Sequence, residues 1–464
     1  MSIIRVTKRH FDAHFYTKNA SLRGLAREVS WFKGIKGKIL GAVFQDQVDR
    51  DYGYVVLGRD ALKRFRTIEM GAEFFSTPEQ AEQTIVSAMK EFEKDGKTIY
   101  HQGDEVDKPL ELLIPVVKSE QQHPYFKILV SEKRFEAASH LIRELAYGFT
   151  DVDGNYIKDF QSTWFDARLW ELFLYAYFQS SGFHLHNQYA FPDFVIDRFG
   201  DALCVEAVTV NSNPDFDEDH PQTQKEILRL LRDYMPIKFG SPLYSKLKKA
   251  YWKHSHVKGK PLVFAIHDYH IQASIEGLGS MTWSRSAISD YLYGHRVDYE
   301  LDGNDKLAVN KADDGRPMVH KIESHSWKHK TIPSGFFFQD ECENVSAVLF
   351  ANSATLTTFN RRGKLAGLGS DNVRMIRYCA ITNPEPSSIY PFLKVFDVDD
   401  PDYEEGWGDG LIMYHNPVAK YPLNPSLFPE ITHMFFEPST MEFRMFLGEC
   451  DILNSYTIVV APKP

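Results

Sequence analysis

The chain has 464 residues, of which 43% are hydrophobic and 14% aromatic, which excludes a disordered protein and suits about three domains with packed cores. Its formal net charge of −10 excludes nucleic-acid binding by overall attraction, so any such binding must use local basic patches. The sequence has four scattered cysteines and no CxxC pair, which predicts a reducing compartment and no zinc ribbon. It has no apolar leader and no run of about 20 apolar residues, which predicts a cytoplasmic protein with no membrane span.

Residues 1–150 are predicted to form an N-terminal α+β accessory domain. The predicted strands cover residues 38–44, 52–57, 110–117 and 125–130, and the predicted helices cover residues 77–96 and 132–147. Thr77, Pro78 and Gln80 have the spacing of a helix cap, a first-turn proline and a capping box, and Gly96 is the expected stop. The polar stretch 149–160 is the predicted linker.

The next segment is predicted to fold as helix, hairpin, helix and strand. Apolar residues at three- and four-residue spacing predict a helix over 165–178, which ends before Gly182. Two strands follow at 191–197 and 202–210, and the glycine and aspartate between them favour a hairpin turn. A helix over 241–252 and a strand over 261–269 complete the segment.

Three carboxylates stand in apolar parts of this segment: Glu171 on the helix, and Asp193 and Glu206 on the two hairpin strands. A carboxylate buried there costs several kcal/mol, as an order of magnitude, unless a partner compensates for it. A hairpin can bring Asp193 and Glu206 together above one sheet face, within reach of one divalent cation with oxygen ligands. The register of the strands decides whether it does so.

These residues resemble the PD-(D/E)xK nuclease superfamily, which has the restriction-endonuclease-like fold. Pro192 and Asp193 are similar to the PD of that family, Glu206 to its second acid, and Glu171 to the helix acid that often precedes them. The resemblance covers residues 164–269 and implies a mixed sheet flanked by helices, an α/β fold. It also implies Mg²⁺ or Mn²⁺ held by Asp193, Glu206 and Glu171, and hydrolysis of DNA or RNA.

The sequence departs from the family pattern at Val208, where the motif lysine would stand. In this family the lysine activates the attacking water and stabilises the charge that develops on the phosphate. Some family members carry the lysine on the following helix, and this chain offers Lys246 and Lys249 there. Their three-residue spacing predicts that they share a helix face. A solvated basic face is the alternative interpretation.

The residues also allow simpler interpretations. Arg168 stands three residues before Glu171 and could pair with it, as acids on helices commonly do. The missing lysine favours a protein that keeps the nuclease fold as a nucleic-acid-binding or assembly scaffold. A third alternative is an enzyme acting on carbohydrates or nucleotides, which would need its carboxyl groups about 5–9.5 Å apart.

Two basic segments are candidates for contact with DNA. Residues 246–260 interleave lysines with Tyr251 and Trp252, and residues 361–364 carry two arginines and a lysine. Basic side chains among aromatics can hold phosphates and stack bases, although many ordinary helices share this composition.

The nuclease-like domain is predicted to span residues 151–464, with an insertion at 270–335 and a proline-rich C-terminal extension. A polar loop is predicted at 211–220, and strands are predicted at 345–350, extending the central sheet, and at 456–461. The predicted function is that of an Mg²⁺-dependent DNA endonuclease with Glu171, Asp193, Glu206, Lys246 and Lys249 as its catalytic residues. Whether the chain forms a homodimer stays open.

Overall fold

The computed structural model describes residues 3–211, 223–269, 284–301, 307–385 and 390–460. The predicted polar loop at 211–220 lies, apart from Asn211, outside the described residues. The chain divides into two compact units: unit 1 comprises Met1–Leu185, Leu356–Arg374 and Val459–Pro464, and unit 2 comprises His186–Thr355 and Met375–Ile458. The first segment of unit 1 thus extends to Leu185. The domain boundary predicted at residue 150 stays a prediction.

The α-helices of the described residues are α1 Lys8–Asp12, α2 Pro78–Asp95, α3 Pro124–Ser131, α4 Glu136–Gly148, α5 Tyr156–Gln161, α6 Phe165–Ser181, α7 Gln224–Arg229, α8 Met235–Leu247, α9 Ser284–Tyr293 and α10 Leu356–Leu365. None of the helices in these ranges combines the length and the apolar character that crossing a membrane requires.

The strands of the described residues are β1 Ile3–Val6, β2 Ala26–Gly34, β3 Ile39–Asp46, β4 Tyr52–Arg59, β5 Phe65–Met70, β6 His184–Leu185, β7 Phe194–Arg198, β8 Asp201–Asn211, β9 Leu262–Tyr269, β10 His295–Val297, β11 Tyr299–Leu301, β12 Leu307–Val309, β13 Val319–Lys321, β14 Ser324–Trp327, β15 Lys330–Pro333, β16 Ala347–Ala351, β17 Arg374–Ile381, β18 Phe392–Asp397, β19 Ile412–His415, β20 Thr432–Glu437, β21 Glu442–Phe446 and β22 Ile452–Val460. The α/β class is therefore confirmed.

Unit 1 opens with an antiparallel sheet in the order β1-β2-β3-β4-β5, against which α2 packs. The predicted strands at 38–44 and 52–57 are confirmed as β3 and β4. The predicted caps of α2 are confirmed as well, since the Thr77 side chain accepts a hydrogen bond from the Gln80 backbone and Gly96 adopts a φ of 69°. These signals act within one turn of the chain, so local sequence is enough to predict them.

The strand predicted at 125–130 is wrong, because this segment forms helix α3. His123 caps the helix, Pro124 occupies its first turn, and Phe126 and Leu129, three residues apart, are buried. A short apolar run has no period that separates a strand from a buried helix, and here the helix cap decides. The strand predicted at 110–117 is also wrong, because these residues form turns and bends. The predicted linker at 149–160 contains most of helix α5.

Unit 2 contains a large mixed sheet whose strands follow the order β21-β20-β19-β16-β9-β8-β7. β7 and β8 form the predicted hairpin, and Phe199 and Gly200 take positive φ values of 55° and 89° in its two-residue turn. β9 lies parallel to β8, and β16 lies parallel to β9, so the predicted strand at 345–350 does extend the sheet. A separate sheet in the order β18-β17-β22 contains the predicted terminal strand.

The core of unit 2 fixes α8 against one face of this sheet. Cys204, Val208 and Val210 alternate along β8 and are buried in one cluster with residues of α8, including Leu243 and Leu247. The predicted helix over 241–252 begins earlier and ends earlier, as α8, and Ala250 takes a left-handed conformation with a φ of 50°. The predicted insertion at 270–335 contains α9 and small hairpins, and its residues 270–283 and 302–306 lie outside the described residues.

Candidate active site

The β7–β8 hairpin places Asp193 opposite Glu206. Phe194 pairs with Val205 in the antiparallel ladder, so one further step brings residue 193 to residue 206. Residues that face each other across such a ladder project from the same side of the sheet. The Asp193 carboxylate also accepts a hydrogen bond of 2.7 Å from the backbone N–H of Ala207 through its Oδ2. The register that the sequence left open therefore brings the two acids together.

Glu206 is a buried carboxylate with one occupied oxygen and one unoccupied oxygen. Only 3% of the residue is exposed. Oε1 accepts hydrogen bonds from the ammonium group of Lys246 and, at 2.5 Å, from the hydroxyl of Tyr251. Oε2 is buried and has no hydrogen-bond partner among the described residues. Since an unpaired buried oxygen of this kind is costly, Glu206 is a candidate ligand for a cation.

Lys246 places an ammonium group against Glu206, whereas Val208 lies in the apolar core. Val208 is buried in the core of unit 2, so a charged side chain at that position would displace apolar packing. Lys246 lies one residue before the end of α8, and the neighbouring Leu247 anchors this turn in the core. The lysine side chain remains 25% exposed while its ammonium group contacts Glu206. One end of this ion pair is therefore accessible to solvent.

Lys249 occupies a different environment from Lys246. The expectation that the two lysines share a helix face is wrong, because α8 ends at Leu247 and the chain turns at Ala250. Lys249 is exposed, and its ammonium group lies 5.9 Å from the centre of the Tyr251 ring. Of the two candidate lysines, Lys246 is the one that contacts Glu206.

Glu171 belongs to unit 1, whereas Asp193, Glu206, Lys246 and Lys249 belong to unit 2. The guanidinium of Arg168 donates to both carboxylate oxygens of Glu171, at 3.1 and 2.9 Å, and to Asp159 at 2.7 Å. The ion pair that the three-residue spacing allowed is therefore present. A catalytic role for Glu171 stays a prediction.

Tyr251, named in the sequence only as an aromatic of the basic segment, is a partner of Glu206. It is 3% exposed, and burial together with the Glu206 carboxylate raises the pKa of its phenol well above the usual value. The hydroxyl therefore keeps its proton and serves as a donor to Glu206. Its position depends on the turn at Ala250, and no short-range signal in the sequence marks that turn.

Comparison with protein-family models, with curated proteins and with solved structures finds no match to this chain.

The residues present fit a divalent cation of the Mg²⁺ or Mn²⁺ type. Asp193, the residue before β7, is bonded to Ala207, the neighbour of Glu206 on β8, and hard oxygen donors such as these two carboxylates are the ligands these ions prefer. The unpaired Oε2 of Glu206 provides a buried donor, while Asp193 is exposed at the surface. The site is thus buried on the Glu206 side and open on the Asp193 side, as entry of an ion and a substrate requires.

A second group of acids, in unit 1, differs from the site at Glu206 because arginine side chains pair with it. Asp60, Asp104 and Glu105 lie close enough for a shared ion. However, Asp60 accepts hydrogen bonds from the backbone and guanidinium of Arg64, and Asp104 pairs with Arg66 at 3.1 Å. Arginine side chains already provide the positive charge, so this group is best interpreted as an ion-pair network.

Proposed function

We propose that this protein is a metal-dependent nuclease of the PD-(D/E)xK type that hydrolyses phosphodiester bonds in DNA. The observation that carries the proposal is the meeting of Asp193, Glu206 and Lys246 at one place on the sheet. These are the residue types that phosphodiester hydrolysis needs, namely two oxygen donors for a cation and one ammonium group.

Asp193 and Glu206 would hold the cation. When bound, Mg²⁺ or Mn²⁺ would lower the pKa of a coordinated water and neutralise charge on the phosphate oxygens. The Ala207 N–H fixes the Asp193 carboxylate, and Tyr251 and Lys246 fix Oε1 of Glu206, so that Oε2 would be the oxygen offered to the ion. Because these hydrogen bonds hold the carboxylates in place, the site needs little reorganisation when charge develops.

Lys246 would act on the reacting phosphate. An ammonium group can donate several hydrogen bonds, and that of Lys246 donates to Glu206. As water attacks phosphorus and the bond to the leaving sugar oxygen breaks, negative charge grows on the non-bridging oxygens. A lysine donor directed at one of those oxygens stabilises this charge more than it stabilises the substrate, which is the condition for catalysis.

The decisive experiment is cleavage of plasmid and oligonucleotide DNA by the purified full chain with Mg²⁺ or Mn²⁺. We expect slow cleavage that EDTA suppresses and that Glu206→Gln removes. This substitution preserves the size of the side chain and its capacity to accept from Tyr251. Cleavage that survives in Glu206→Gln would show that the activity comes from a contaminant or from another site.

A second candidate function is a binding or assembly scaffold with the same fold. Two observations favour it: Val208 replaces the motif lysine, and Lys246 already pairs with Glu206 as a structural ion pair would. If the full chain binds DNA or a protein partner but cleaves no form of DNA or RNA with any common divalent ion, the scaffold replaces the enzyme as the better interpretation.

A further inference from the structure

A group of four rings adjoins the Asp193 end of the site. The rings of Tyr189 and His256 are stacked with centroids 4.2 Å apart and an angle of 8° between their planes. The ring of Phe191 meets the edge of His254 at 4.8 Å, and the two histidine rings are 5.8 Å apart. We call these four residues the ring platform.

Phe191 is the exposed member of the platform and is held firmly by its backbone. Almost half of the residue, 47%, is open to solvent. Its carbonyl oxygen accepts a hydrogen bond of 2.8 Å from Nε2 of His256, and Pro192, the next residue, is buried. Asp193 follows, fixed by its bond to Ala207. An apolar ring thus faces solvent two residues from a proposed cation ligand, on a backbone that His256 holds.

The segment that supplies the two histidines is strongly basic. Between Asp233 and Asp268 the sequence contains no acidic residue. The lysines in this interval are Lys238, Lys246, Lys248, Lys249, Lys253, Lys258 and Lys260. Lys253, which precedes His254, and Lys258, two residues after His256, are exposed. In a chain of net charge −10 this segment is a local region of positive charge, which complements a phosphate backbone.

From this arrangement we infer that the site takes single-stranded DNA, with a base stacked on the exposed ring of Phe191 and the backbone lying along the lysines of the basic segment. The inference rests on the proposed nuclease function and narrows its substrate class. Exposed aromatic rings combined with lysines are how proteins bind single strands without sequence preference. In a duplex the base faces are covered by their neighbours, so a fixed ring at the protein surface has no base to stack on.

The test is binding of a fluorescent single-stranded oligonucleotide to the full chain in EDTA, so that binding is measured without cleavage. Phe191→Ala should weaken binding about tenfold, the usual order for loss of one stacked base. Phe191→Trp should retain the affinity. Phe199→Ala is the matched control, because Phe199 is 84% exposed but lies in the hairpin turn. The same oligonucleotide as a duplex should bind less tightly and be indifferent to Phe191→Ala.

The possible outcomes separate this inference from the nuclease proposal. If Phe191→Ala binds the single strand as tightly as wild type while cleavage still depends on Glu206, the ring platform is a packing feature and the inference is overturned. If Phe191→Ala weakens duplex binding as much as single-strand binding, the platform acts on DNA in general and the inference is again overturned. A tenfold loss confined to the single strand, with Phe191→Trp at wild-type affinity, supports it even if the protein cleaves nothing.

Discussion

Lys246 and Glu206 are forty residues apart in the chain, and the lysine ammonium donates to Oε1 of the carboxylate. Strand β8 supplies the acid and helix α8 supplies the base, so the pair exists only because the helix packs on that face of the sheet. The pair is either part of a catalytic site or a structural ion pair, and the effect of Lys246→Met on DNA cleavage distinguishes the two.

Lys246→Met should lower the rate of DNA cleavage by about 100-fold, the usual loss when one charge-stabilising donor is removed. Lys249→Met should have little effect, because Lys249 is exposed and contacts the Tyr251 ring instead. Initial rates with saturating Mn²⁺ measure both. Breaking a buried ion pair also destabilises a protein. Calorimetry of Mn²⁺ binding by Lys246→Met is therefore the control that the variant still has an intact site. Equal rates for the two variants would remove Lys246 from the mechanism.

Asp193→Asn and Glu206→Gln should each weaken Mn²⁺ binding by at least about tenfold, since each removes a negatively charged ligand. Isothermal titration of the full chain measures the affinity. Asp201→Asn is the matched control, because Asp201 is an exposed acid at the start of the same strand β8. Wild-type affinity in both site variants would show that the cation binds elsewhere or not at all.

Tyr251→Phe removes the second donor to Oε1 of Glu206 and leaves the ring in place. A hydrogen bond to a charged group contributes about 1.5–3 kcal/mol, so the free energy of unfolding should fall by about 2 kcal/mol. Urea unfolding at pH 7 measures this change. Tyr244→Phe, on an exposed tyrosine of α8, should change little. An unchanged free energy in Tyr251→Phe would mean that the hydroxyl does not stabilise the buried carboxylate.

Acid should destabilise unit 2 through His267. Burial lowers the pKa of this histidine to about 3, and its Nε2 accepts the backbone N–H of Ala354 at 2.8 Å, so the folded protein keeps the ring neutral. An unfolded histidine titrates near 6.5, so below that pH the unfolded state binds a proton that the folded state does not. The free energy of unfolding should therefore decrease as the pH falls from about 6.5 towards 3, at about 1.4 kcal/mol per pH unit.

Urea unfolding between pH 7 and pH 4.5 measures this slope. His267→Gln carries an amide acceptor and no titrating group, so its stability should depend less steeply on pH than that of wild type. Parallel curves for wild type and His267→Gln would contradict the assignment.

The sequence by itself determined the elements whose signals are local. The cap at Thr77 and the stop at Gly96 define α2, and the turn at Phe199 and Gly200 defines the β7–β8 hairpin. Each signal acts over a few residues, through a cap bond or through a glycine that tolerates positive φ. Where local signals conflict, as in residues 125–130, the pattern predicts a strand and the protein has α3.

Only the tertiary structure decided which of the candidate residues meet. Pattern alone predicted Asp193 and Glu206 on neighbouring strands, but a shift of one residue in register would have put them on opposite faces. The choice of Lys246 over Lys249 depends on where α8 ends, and the role of Tyr251 depends on the turn that follows. These outcomes follow from packing across forty or more residues of chain, where the burial of Leu243, Leu247 and Val208 in one core outweighs any preference of the individual residues.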